Sequence, residues 1–120
     1  MAILKIARMG HPVLKHRAEA VPEPISPEIQ QLVRDMAETL QDIGGIGLAA
    51  PQVHVSKRVV IFFVPGSRRT GEGETQEDIP LTVLINPEIE PLTGETAMGV
   101  EACLSVPGLA GQVPRWTRIR

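Results

Sequence analysis

The stretch from Ser26 to Gly45 constrains the fold of this chain more than any other. Ile29, Leu32, Val33, Met36, Leu40 and Ile43 recur at three- and four-residue spacing, which places them on one stripe of an amphipathic helix. Ser26 can cap the start. Pro27 suits the first helical position, because the N–H it lacks would have no partner there. Gly44-Gly45 supply the backbone freedom that ends helices. The spacing predicts one helix over 27–43 with its six apolar side chains facing inward.

The rest of the chain reads as strands punctuated by proline and glycine. Arg58 to Val64 is a β-branched and aromatic run, expected as a buried strand. Leu81 to Ile85 is expected as a second strand, closed by Asn86-Pro87. Glu95 to Ser105 reads as extended, with Gly99 as a bulge or bend. Gln112 to Arg120 reads as a last strand with Pro114 near its start. Between the first two strands, Pro65 to Pro80 is polar and aperiodic, and a mobile surface loop is expected there. The predicted class is α+β: antiparallel sheets with an N-terminal amphipathic helix, in a single domain over 1–120. Trp116, Phe62 and Phe63 are the only aromatics apart from histidine, so the core must rest on Ile, Leu, Val and Met. The sequence stops at Arg120 inside what reads as a strand, and an incomplete domain is expected from this.

Composition removes several functions. There are 12 basic and 14 acidic side chains, a net charge of −2. No basic stripe of the kind that grips a phosphate backbone is present. The longest apolar runs fall well short of a membrane span, and no secretory signal opens the chain. A lone cysteine cannot form an internal disulfide, which fits a reducing, cytoplasmic setting.

Two segments could carry chemistry. Gly45 to Gln52 reads Gly-Ile-Gly-Leu-Ala-Ala-Pro-Gln. Its glycines allow close approach of the main chain to a ligand, and the Gln52 amide could donate to an oxyanion. A helix cap followed by a packed turn would give the same pattern. The third glycine and following helix of a dinucleotide fingerprint are missing. The second segment, Glu101 to Ser105, reads Glu-Ala-Cys-Leu-Ser. A lone cysteine such as Cys103 is most often a small buried hydrophobe. A metal would need partners, and His11, His16 and His54 form no His-x-x-x-His pair. A Cys–His nucleophile pair using His54 stays open, without local sequence support. On a strand, Glu101, Cys103 and Ser105 would share one face, either polar surface beside a thiolate or a plain solvent-facing edge.

Taken in order, the two segments resemble two of the three signature motifs of the peptide deformylases, with Ala102 standing where that family usually has glycine. Gly10-His11-Pro12-Val13-Leu14, Asn86-Pro87 and Ser105-Val106-Pro107-Gly108 resemble its flanking segments, so the likeness runs over essentially the whole chain. The resemblance implies removal of the formyl group from the N-terminal formyl-methionine of new proteins. It implies a divalent metal, iron(II) natively, with zinc, nickel or cobalt able to substitute. Cys103 would be one ligand. The Leu104 N–H and the Gln52 side chain would hold the developing oxyanion, with Gly47 and Ile46 against the substrate. The implied partner is an N-formylmethionyl peptide or nascent chain, with transient association at the ribosome. The third motif, a His-Glu-x-x-His helix that carries two more ligands and the general base and fills the centre of the fold, matches no position in 1–120. Residues 1–120 alone are therefore expected to be inactive. The rival readings are a non-catalytic deformylase-like peptide-binding module and a thiol-containing structural domain.

Overall fold

The structure, a computed structural model, describes residues 2–68 and 77–120. Helix α1 spans Pro27–Ile43, as the spacing predicts. The Ser26 hydroxyl accepts the Ile29 N–H at 3.4 Å. Gly44, with φ 74° in the left-handed region, donates its N–H to the Leu40 carbonyl at 3.0 Å and ends the helix. Ile29, Met36 and Leu40 are buried, and Leu32 and Val33 pack against them. Ile43 departs from the expected stripe and is 39% exposed, because it sits in the last turn before the chain leaves the helix. Thr39 lies in the buried face instead. Its hydroxyl donates to the Asp35 carbonyl at 2.7 Å and accepts the Leu4 N–H at 2.9 Å, so its burial leaves no unmet polar atom.

The facing surface is a three-stranded antiparallel sheet in the order β1 (Gly47–Ala49), β2 (Val59–Val64), β3 (Ile79–Ile85). Leu48 pairs with Ile61, and Ile61 with Val83, so these three share one face of the sheet. Leu48, Val59 and Ile61 join Met36 and Leu40 in the core. β1 lies in the segment read from sequence as a helix cap and packed turn, and its pairing with β2 makes it a strand. β3 begins inside the segment expected as loop, with Pro80 as its second residue. Of the remainder of that segment, Gly66–Arg68 form a 3-10 turn whose Gly66 N–H donates to the Asp78 carboxylate at 2.7 Å. Residues 69–76 lie outside the described residues.

β4 (Thr96–Ala102) and β5 (Ala110–Trp116) form a separate antiparallel pair. The register runs unbroken from Thr96 opposite Trp116 to Ala102 opposite Ala110. Gly99 pairs with Val113 in this ladder and is not a bulge. Pro114 sits well inside β5, opposite Met98, rather than near its start. A two-stranded sheet has only edge strands, and an edge tolerates a residue without an N–H. The shared face expected for Glu101, Cys103 and Ser105 does not form either. β4 ends at Ala102, and the chain turns at once, with the Val106 N–H donating to the Cys103 carbonyl at 3.0 Å.

Residues 2–9 form an extended strap that belongs to neither sheet. The Ala2 N–H donates to the Asp35 carboxylate, and the Leu4 N–H to Thr39. Further along, the Ala7 N–H donates to the Gln52 carbonyl at 2.6 Å and the Met9 N–H to the Ser105 carbonyl at 2.8 Å. One segment thus fastens the helix, the turn after β1 and the turn after β4.

Candidate active site

Gln52 lies in a 3-10 turn, Ala50–Val53, that follows β1 directly. Pro51 suits its first turn, and His54, at φ 66°, closes it in the left-handed conformation. Ala50 and Val53 are buried and anchor the turn in the core, leaving Gln52 to face the turn after β4. The Gln52 Oε1 accepts the Ala49 N–H at 2.9 Å. Its Nε2 donates to Ser105 Oγ at 3.1 Å and to Cys103 Sγ at 3.4 Å. The two segments singled out in the sequence therefore meet through one side chain.

Leu104 reaches the site from the same turn. A β-carbon on Gly45 would stand 3.3 Å from Leu104 Cδ1 and 3.2 Å from Leu40 Cδ1, so a glycine there lets the Leu104 side chain pack between helix and sheet. The Leu104 N–H has no hydrogen-bond partner among the described residues. Gly47 is different. A β-carbon there would meet only Ile61 O at 3.7 Å and Phe62 Cβ at 3.9 Å, ordinary contacts, so packing does not dictate this glycine. Gly47 stands on the edge strand β1. The Ile46 carbonyl accepts the Phe63 N–H at 2.8 Å, turning the peptide groups of Ile46 and Leu48 toward β2 and those of Gly47 and Ala49 outward. The Ala49 N–H is held by Gln52, and the Ile46 side chain is 40% exposed.

Cys103 is a free, exposed thiol, so the buried reading of that cysteine does not apply. Its side-chain partner is Gln52 and not a histidine, which gives the Cys–His nucleophile arrangement no support. His11 and His54 instead meet each other edge to face at 4.6 Å, and His11 Nδ1 accepts the Val13 N–H. Cys103 suits a soft divalent metal as one ligand. Among the described residues no three His, Cys, Asp or Glu side chains gather to complete a site. The described residues thus offer a metal at most the single thiolate of Cys103.

Beside the site, Arg115 forms a two-point ion pair with Glu101 at 2.6 and 2.8 Å. The hydrogen bond from Arg115, with its charge, holds the Glu101 carboxyl below the usual carboxylate range, and Glu101 in turn raises Arg115. An apolar cavity of about 640 Å3 opens between the end of α1 and the β2–β3 edge, lined by Ala37, Leu40, Phe63 and Leu81. Neither Gln52 nor Cys103 lines it, so it is separate from their junction.

Ser105 escaped the sequence reading as a site residue. The pattern of Cys103 and Ser105 two apart marked it, but on an assumed strand, whereas the turn buries it to 4% exposure against Gln52. The outward N–H of Ala49 carries no sequence signal at all.

The sequence matches the polypeptide deformylase family over residues 3–120. It is 45% identical to peptide deformylase 1 of Nitrosomonas europaea over 118 residues, covering 98% of this chain and 65% of that protein. It is 46% identical to peptide deformylase 2 of Pseudomonas putida over 119 residues, again covering 65% of the relative. The chain thus spans about two thirds of the length of these curated relatives. Among solved structures it is similar to peptide deformylase from Ehrlichia chaffeensis in complex with actinonin, with a TM-score of 0.84, 36% identity, and coverage of 99% of this chain and 66% of that one. It is also similar to the class I type b peptide deformylase of Acinetobacter baumannii bound to Met-Ala-Ser, with a TM-score of 0.78, 36% identity, and coverage of 95% and 71%.

Proposed function

The chain belongs to the polypeptide deformylase family, and we propose from that membership that it serves hydrolysis of the N-formyl group from formyl-methionyl peptides. The observation that carries the reading is the junction of Gln52 and Cys103, two motif residues from distant segments, at 3.4 Å. The relatives' names favour this enzyme over a non-catalytic peptide-binding module.

Each residue present has a part. The Gln52 Nε2–H and the Leu104 N–H are donors for the oxygen that gains charge as the formyl carbon becomes tetrahedral. The outward peptide group of Gly47 on the edge of β1 can pair with an extended peptide, with the exposed Ile46 side chain beside it. Cys103 would hold one coordination position of a divalent metal, which we take to be iron(II), replaceable by zinc, nickel or cobalt. When bound, such a metal supplies Lewis acidity and a more acidic water. The remaining ligands and the proton acceptor that the family resemblance calls for are not among residues 1–120. On this reading the protein would meet its nascent-chain substrate in the cytoplasm, with transient contact at the ribosome. No helix of the described residues is long and apolar enough to cross a membrane.

The test joins residues 1–120 to the region of the Nitrosomonas europaea relative that lies downstream of the match, and measures formate release from formyl-Met-Ala-Ser. The expected result is turnover in this fusion that Gln52→Leu lowers by about 10²–10³-fold in kcat. Residues 1–120 alone, supplied with iron(II), nickel or zinc, should release no formate above a Cys103→Ala control. Turnover by that chain would show that His11, His16 or His54, or a second copy, completes the site.

A further inference from the structure

The Gln52 amide has two ends, and only one of them can act as a donor. The Ala49 N–H can only donate, so the atom it meets at 2.9 Å must be the amide oxygen. That contact turns the nitrogen to the opposite side, toward Ser105 Oγ at 3.1 Å and Cys103 Sγ at 3.4 Å. The two acceptors differ. The sulfur is exposed and a weak acceptor. The Ser105 hydroxyl is the stronger one. Ser105 is only 4% exposed, and its carbonyl is fastened by the Met9 N–H at 2.8 Å, so its position is set by the fold.

We propose that Ser105 is the positioning residue for Gln52: Ala49 decides which end of the amide is nitrogen, and the buried Ser105 hydroxyl decides where that nitrogen points. The strap supports this role, because Ala7 holds the Gln52 backbone while Met9 holds that of Ser105. Donor and guide are thus fixed to the same segment. Ser105 is not assigned any contact with substrate and acts through Gln52. The inference deepens the deformylase reading and rests on it only for what the aimed nitrogen is used for.

The Gln52 side-chain NH2 can be followed by 15N NMR in the full 120-residue chain. In the wild type its two protons should exchange slowly with water. Ser105→Thr, which keeps the hydroxyl, should preserve that slow exchange, and Ser105→Val, of the same shape without a hydroxyl, should speed it by about tenfold. Equal exchange in the threonine and valine variants overturns the proposal. A kinetic comparison in the active fusion covers the case of a variant that folds poorly as the 120-residue chain. There Ser105→Val should lower kcat with little change in KM, and Ser105→Thr should restore it. A Gln52→Leu fusion with unchanged kcat would sink the donor reading itself. A Gln52→Leu loss that Ser105→Val fails to share would sink only the role given to Ser105.

Discussion

Asn86 ends β3 at φ 53°, a left-handed backbone that asparagine adopts more readily than most residues. Its side chain closes two bonds on Val21, accepting the N–H at 2.7 Å and donating to the carbonyl at 2.9 Å. Val21 is part of the core, so these backbone groups have little access to water. Asn86→Ala should therefore destabilise the fold by about 2–3 kcal/mol, from two unpaired backbone groups and an alanine forced to positive φ, measurable by urea unfolding. The Glu101–Arg115 pair predicts a pH effect. The folded carboxyl lies below its unfolded value, so the pair stabilises the β4–β5 hairpin above the ordinary carboxylate range near about pH 4.3. That support is lost as pH falls through the lowered folded value. NMR of the Arg115 side chain from neutral to strongly acid pH should follow this loss, and Glu101→Gln should flatten the curve. Both side chains are exposed, so the contribution is small.

At the level of elements, α1 was legible because everything that makes it is local: a serine, a proline, an apolar period and two glycines within one short segment. Ser26→Ala should cost about 1 kcal/mol by removing the cap. Leu40→Ala should cost about 2–5 kcal/mol, because Leu40 is buried between helix and sheet. Both are checked by chemical denaturation against the wild type. β1 was not legible, since Gly-Leu-Ala becomes a strand only by pairing with β2. The meeting of Gln52 with Cys103 was legible through the motifs, but the turn that separates Cys103 from β4 was not. That turn is held by tertiary contacts, so an alternating pattern was extended past the point where the strand stops. Gly99 misled for a related reason: glycine in a strand often marks a bulge, yet here the ladder passes through it in register.

Across the whole molecule, apolar surface is unevenly covered. Met98, Val100, Leu109 and Trp116 on or beside the β4–β5 pair are 49–72% exposed, while the α1 side of the other sheet is packed. A patch of this kind should bind the dye ANS in the 120-residue chain, and the fusion with the relative's downstream region should bind less of it. Unchanged dye fluorescence would show that the added segment does not cover this face. The strap of residues 2–9 has a consequence for the order of events during folding. Its contacts with the helix can form early, but Met9 waits for Ser105, far along the sequence. Closing so long a loop is slow compared with forming a helix. The contacts that aim Gln52 are therefore expected to follow the helix in folding, and a ribosome must have released Ser105 before they can form.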